Sequence, residues 1–422
     1  MKLNINGLEA LEALLERNEI EAFLKEAQGF VYRMWTTPAI KGKALLIPQM
    51  DALLERAARH FNRSQRPRES ALPLVAHIAT EIYTTGGHTR LIENMVRALP
   101  EYRHVLVLTD SVENYRQGRL ALDTLKERFD ILGVEILTLS GATLTEKTAE
   151  LAGLIESLAP QAAVLTAHHF DVVANAGITG NSAPRVIFIH HGDDLPSLGA
   201  TRADLIHADL NPASLHVCMT EGLLTPAYLN LTVKDCGVVH APQRDTLIGA
   251  TCGAPYKYSG VSLFSYAALL AALFAAGVEK IFHIGTMPQE QMAQVRSDLA
   301  KAGQDAQRII FMPNTPSLAP ALKKVAPDFF LGSHPIGGGT AMTEAMSLGL
   351  AIIATRPEGL SPLHNVDLSL GNELVVRTLD DVPAIVTTVR RDRKALGRRS
   401  RDVYEKHYSM GVFRDRLLSL IR

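Results

Sequence analysis

Residues 334–355, HPIGGGTAMTEAMSLGLAIIAT, constrain this chain more than any other stretch. Three consecutive glycines and a threonine run into an alanine-rich helical segment, and a run of isoleucine and alanine with strand character follows. A helix that opens on glycine offers unpaired backbone amides and the positive end of its dipole to an anion. Gly337, Gly338, Gly339 and Thr340 are therefore expected to cradle a diphosphate, with the Thr340 hydroxyl as a further donor. Glu344 lies one turn further along the same helical face. A carboxylate there repels phosphate but suits the paired hydroxyls of a ribose.

Around this segment, short apolar runs alternate with helical patterns, the signature of βαβ units. One series begins at PLVAHIAT (73–80), and a second leads from GAPYKYSG (253–260) to ELVVRT (373–378). LEALLERNEIEAFLKEAQ and MDALLERAARHF, ahead of both, repeat apolar residues at helical spacing. The expected organisation is a helical N-terminal extension over 1–70, a first domain over 71–235, a second over 236–400, and closing helices over 401–422 that pack back on the domains. The fold class is α/β: two Rossmann-like, doubly wound domains facing across a cleft where the carboxyl ends of both sheets converge.

Composition narrows the partners and the compartment. A formal net charge of −1 gives no reason to expect a nucleic-acid partner, since a phosphate-tracking surface normally needs an excess of lysine and arginine, though it leaves room for a local basic patch. Cys218, Cys236 and Cys252 form no CxxC, which fits a reducing compartment. The N-terminus carries acids among its leucines, unlike a signal peptide, and the apolar segment Phe264 to Val278 is too short to span a bilayer. A cytoplasmic protein is expected, with peripheral contact at the inner face of the membrane left open and no signal for an oligomeric state.

Neither familiar nucleotide fingerprint is present. The loop after the first strand reads Thr85-Gly86-Gly87-His88-Thr89-Arg90, which is not GxGxxG, and there is no GxxxxGK[ST]. Gly87 still allows a close backbone approach to a ligand. Lys257, where the second domain opens, can reach a pyrophosphate and offset the charge of a departing nucleotide. Thr286 and Asn314 end second-domain strands, a place for base contacts, and His334 is a candidate for donor phosphate or sugar. The first domain gathers His88, His168, His169, His190, His191, Asp193 and Asp194 near its strand ends. Of these, His88 and Asp193 are the candidates for receiving a proton from an acceptor hydroxyl. Neighbouring residues on a strand point to opposite faces, so each His-His pair supplies at most one ligand, and no catalytic metal is expected. Trp35 is read as packing.

The double-glycine loop, the lysine opening the second domain and the Gly-Gly-Gly-Thr-x-x-x-Glu segment resemble glycosyltransferases of the GT-B fold, over roughly residues 72 to 422. The sequence is similar to bacterial polysaccharide glycosyltransferases and, more distantly, to protein O-GlcNAc transferases and bacterial protein N-glucosyltransferases. The resemblance implies a UDP-sugar donor held without a metal or other cofactor, Thr340 on the pyrophosphate and Glu344 on the ribose. Ala341 stands where relatives carry a second threonine, and Gly339 where some carry a histidine. Ile336 occupies the place of an acid in the retaining branch, which implies an inverting reaction. The implied activity is hexosyl transfer from the nucleotide sugar to a hydroxyl on a saccharide or lipid-linked glycan, in polysaccharide biosynthesis. A UDP-sugar 2-epimerase and a catalytically silent nucleotide-binding module are the rival readings.

Overall fold

The computed structural model describes residues 6–37, 40, 45–61, 73–84, 86–192, 195–221, 225–239, 242, 244–260, 262–315, 317–358 and 368–422. Two compact units emerge: residues 1–210, 214–229 and 414–422, and residues 211–213 and 230–413.

The first unit opens with α1 (Asn6–Glu16), α2 (Ile20–Thr36) and α3 (Pro48–Ala58). Then come β1 (Leu74–Ala79), α4 (Gly87–Ala98), β2 (Arg103–Leu108), α5 (Asp123–Asp130), β3 (Val134–Thr138), α6 (Leu144–Leu158) and β4 (Ala162–Leu165). The series closes with α7 (Val172–Gly177), β5 (Arg185–His190), β6 (Ile206–Asp209), α8 (Pro212–Glu221) and β7 (Ala227–Tyr228). All strand pairs are parallel, in the order β3-β2-β1-β4-β5-β6-β7. Every residue of β1 is buried, as expected for a strand covered on both faces. The chain builds outward from β1 to β3, then returns to place β4 on the other side of β1. That reversal is a topological switch point, where the carboxyl-end loops of β1 and β4 diverge and leave room for a ligand.

The N-terminal helices are not a separate extension, as the polar stretch after them suggested. Phe23, Leu24, Val31 and Leu54 share a core with Phe170, Val172 and Leu198. Asp51 of α3 accepts hydrogen bonds from the Gly199 amide (2.7 Å), the Thr201 amide (2.9 Å) and the Thr201 hydroxyl (2.6 Å). Glu21 of α2 accepts from the Leu144 and Thr145 amides, at 3.3 and 2.8 Å, and so caps the start of α6 from a distant helix.

The second unit contains β8 (Leu247–Cys252), α9 (Tyr266–Ala275), β9 (Val278–Ile284), α10 (Gln289–Lys301), β10 (Ile309–Met312) and α11 (Leu318–Val325). It continues with β11 (Phe329–Leu331), α12 (Gly339–Ser347), β12 (Ala351–Thr355), β13 (Leu374–Val376) and α13 (Val382–His407). This sheet is also parallel, in the order β10-β9-β8-β11-β12-β13, with its switch point between β8 and β11. Gly249 in β8 is a packing requirement: a Cβ there would lie 2.5 Å from the Phe329 ring.

Two expected boundaries move. Residues 230–235 belong with the second unit, where Asp235 pairs with Arg401 at 2.5 Å. A break at 400 would cut α13, whose Val403 and Tyr404 are buried in the core of that unit. The final helix α14 (Met410–Ile421) starts in the second unit, while residues 414–422 join the first, where Arg414 grips Glu101 through two bonds of 2.9 and 3.0 Å. No helix among the described residues is long and apolar enough to cross a membrane.

Candidate functional site

In the second unit the switch point brings together the loops that follow β8 and β11. The β8 loop coils into a short 3-10 turn, Pro255–Tyr258, that carries Lys257. The β11 loop delivers Gly337 and Gly338 to the start of α12, with Gly338 as the N-cap residue. Lys257 Nζ donates to the Gly337 carbonyl at 2.7 Å, while the Lys257 carbonyl accepts from the Ile336 amide at 3.3 Å. The two loops are thus clasped, with an ammonium beside the first amides of a helix.

Neither backbone conformation nor packing demands glycine at 338, where it serves as the N-cap. Its φ is −123°, an ordinary value for any residue. A Cβ there would find Ser333 Oγ at 3.4 Å and Lys257 Nζ at 3.7 Å, ordinary contact distances. Gly86 in the first unit is different, because its φ of +123° favours glycine on backbone grounds.

The other second-unit candidates divide. Thr286 and Asn314 are exposed just beyond the carboxyl ends of β9 and β10. His334 turns inward, contrary to expectation. It is fully buried and stacked on Phe264 at 4.6 Å, with Nδ1 bonded to Thr355 Oγ1 (2.9 Å) and Nε2 to the Phe264 carbonyl (2.8 Å). Both ring nitrogens are committed, so the residue braces the β11 loop instead of meeting a ligand. Glu344 is buried on α12, and its Oε2 accepts from the Ala319 amide at 3.0 Å, capping α11. Thr340 lies in the first turn of α12, partly buried.

At the switch point of the first unit, α4 starts at Gly87, and His88 of its first turn donates from Nε2 to the Thr166 carbonyl at the end of β4. That bond leaves Nδ1 with its lone pair, buried and without a protein partner. His88 forms a row with His168 (5.7 Å between ring centres) and His191 (4.9 Å), and His169 continues it 5.2 Å from His191. Burial, reinforced by the neighbouring imidazoles, holds His88 well below the ordinary histidine range and His191 at about 4. The row is therefore neutral at pH 7, and His88 is a weak base. Gly192 makes the row possible, since any side chain there would overlap the His169 ring. Asp193 and Asp194 lie outside the described residues. His190 faces away from its neighbour His191 into a separate buried cluster with His207, Asp209 and Cys218. Alternation along the strand had anticipated this parting.

Beside the row opens a cavity of about 750 Å³ within the first unit, and His168 and Tyr83 contribute to its lining. Tyr32 and Trp35 from α2 form one wall with Phe170, at ring-centre distances of 5.3 to 5.8 Å. Trp35 packs on Tyr32 and Phe170 as expected, yet it remains 37% exposed and Tyr32 46%, so part of each ring faces the cavity. Glu81 lines the same cavity. Its carboxylate accepts from Asn114 Nδ2 at 2.7 Å and from the Tyr83 hydroxyl, which in turn meets His168 Nε2 at 3.2 Å. The sequence signal was the amphipathic α2, whose apolar face supplied both core residues and this aromatic edge.

Neither a protein-family model nor a curated protein sequence matches the chain. Solved structures do. A glycosyltransferase from Rickettsia africae aligns with a TM-score of 0.62 at 9% identity, over 83% of this chain and 98% of that one. The lipopolysaccharide outer core galactosyltransferase WaaB aligns with a TM-score of 0.59 at 13% identity, over 82% and 99%. The Anabaena protein HepE, solved in complex with UDP and glucose, aligns with a TM-score of 0.56 at 12% identity, over 82% and 98%.

The fold is GT-B. A mutant O-GlcNAc transferase of Thermobaculum terrenum, at 15% identity and a TM-score of 0.56, covers 98% of this chain and 82% of its own, so that this match takes in most of α1–α3 as well.

Proposed function

We propose that this GT-B chain transfers a hexosyl group from a UDP-sugar to a hydroxyl of a saccharide, free or lipid-linked. The observation that carries the reading is the clasp of Lys257 over the glycine-rich start of α12 at a sheet switch point. The first amides of α12, the Thr340 hydroxyl and the Lys257 ammonium supply positive potential for a diphosphate, and do so without calling on a metal ion. Structures of the same fold that hold UDP and glucose support this choice of donor. Glu344, one turn along, faces the ribose.

The first unit takes the acceptor. Aromatic faces such as Tyr32, Trp35 and Phe170 stack against the apolar faces of pyranose rings, and Glu81 and Asn114 offer polar partners to their hydroxyls. The acceptor oxygen attacks the anomeric carbon as the bond from that carbon to the β-phosphate oxygen breaks, and UDP departs. The acceptor proton passes to Asp193 or, despite the weak basicity that burial imposes, to His88, whose Nδ1 is its uncommitted ring nitrogen. A single displacement of this kind inverts the anomeric centre.

UDP release that depends on added saccharide should be measurable, and Lys257→Ala should slow it by about 100-fold. Absence of UDP binding in calorimetry, or a Lys257→Ala enzyme as fast as wild type, would overturn the proposal. Conversion of the UDP-sugar with no acceptor present would replace transfer by epimerisation.

A further inference from the structure

A second constellation in the first unit lies outside the donor and acceptor reading. His190 ends β5, His207 and Asp209 lie on β6, and Cys218 lies on α8. One ligand-type atom from each falls within 4.8 Å of all the others. His190 Nδ1 is 3.1 Å from Asp209 Oδ1 and 3.3 Å from Cys218 Sγ, while His207 Nε2 is 3.2 Å from Asp209 Oδ2. The Cys218 sulfur is 3.7 Å from Asp209 Oδ1. Zinc bonds of about 2.0–2.3 Å in tetrahedral array place donor atoms roughly 3.3–3.8 Å apart. These side chains already stand close to that spacing.

The surroundings favour a cation. His207 Nδ1 donates to the Ala200 carbonyl at 2.8 Å, which turns Nε2 toward the Asp209 carboxylate. At 3.2 Å that contact is bridged by a positive centre, either a second ring proton on His207 or a metal ion in its place. A carbonyl holding the far nitrogen is also the usual way a metal-bound imidazole is oriented. Burial is complete for His190, Asp209 and Cys218 and nearly so for His207, as in closed structural sites with four protein ligands. One carboxylate, one thiolate and two neutral imidazoles balance a divalent ion.

We propose that His190, His207, Asp209 and Cys218 bind a structural zinc ion. Binding expels the Cys218 thiol proton to solvent, and His190 then carries its remaining proton on Nε2. The mixed sulfur, nitrogen and oxygen set at tetrahedral spacing selects zinc over magnesium or calcium, which prefer oxygen alone. The ion ties β5, β6 and α8 together at the residue preceding His191, and so fixes the base of the histidine row.

The test uses the full chain and reads the metal, not the transfer reaction. Protein dialysed against a weak chelator should retain about one zinc per chain by elemental analysis. After exchange into cobalt, the wild-type chain should show a thiolate-to-cobalt charge-transfer band in the near ultraviolet. Cys218→Ser should abolish the band, whereas Cys236→Ser and Cys252→Ser should keep it. A full-length wild-type chain that takes up neither zinc nor cobalt overturns the proposal, even if Cys218→Ser does not fold. So does a cobalt spectrum without the thiolate band, or one that survives in Cys218→Ser. UDP binding is expected in either case, so failure here leaves the donor assignment standing.

Discussion

At the scale of single residues, the histidine row gives the chain an acid limit. His191 has a folded value of about 4, below the roughly 6.5 of an exposed histidine, because burial disfavours the imidazolium. The unfolded chain therefore takes up the proton first as pH falls. The stability that the neutral ring allows is intact above about pH 6.5 and is lost progressively toward pH 4. Between pH 7.5 and 5 this one residue should cost about 2 kcal/mol. Gln at 191 can still donate to the Ala167 carbonyl, which His191 Nε2 meets at 2.9 Å, and cannot titrate. Urea unfolding should accordingly show a smaller loss between those two pH values for His191→Gln than for wild type; equal losses would remove His191 as the cause. Histidines near strand ends were legible from sequence. Their neutrality was not, because it depends on four rings from three separate segments crowding one another. The role of His334 was misread for a related reason: its partners, Phe264 and Thr355, lie far away in the chain.

At the scale of elements, glycine, lysine and parallel strands announced the two loops that meet at the switch point of the second unit, whereas the work of the acids was hidden. Glu344 read as a ligand contact and nothing in the sequence singled out Glu21 or Asp51, yet each accepts backbone amides of a distant element. No periodicity within a helix reveals such a partner. For Glu344 the consequence can be separated from its proposed ribose contact. Glu344→Ala removes the acceptor of the Ala319 amide and should cost about 1 kcal/mol of stability, as losing a helix cap does. Glu344→Gln keeps a carbonyl oxygen for that amide and should keep the stability. It loses the charge that strengthens bonds from ribose hydroxyls, so UDP should bind about 10-fold more weakly. Thermal unfolding and calorimetry on the two variants decide the matter: undiminished UDP affinity in Glu344→Gln would leave the residue a cap alone.

At the scale of the whole molecule, two doubly wound sheets were readable from the alternation of strand and helix, and the glycine segment marks the one to which we assign the nucleotide. The expected extension over 1–70 was not readable as part of the first unit, since Phe23 and Leu24 reveal their core only once Phe170 and Leu198 are folded beside them. That integration bears on function, because α2 carries Trp35 and Tyr32 to the cavity that we assign to the acceptor. The donor residues all lie in the second unit and the aromatic wall in the first, so substitutions in one should leave binding in the other untouched. Trp35→Ala removes an exposed face and no hydrogen bond, and should raise KM for the saccharide by about 10-fold, the weight of one aromatic contact, while UDP affinity stays at its wild-type value. Lys257→Ala should do the reverse, weakening UDP and slowing turnover with little change in saccharide KM. Initial rates over a saccharide series, together with UDP calorimetry on both variants, check the division. Loss of UDP affinity in Trp35→Ala would place the nucleotide, not the acceptor, against the aromatic wall.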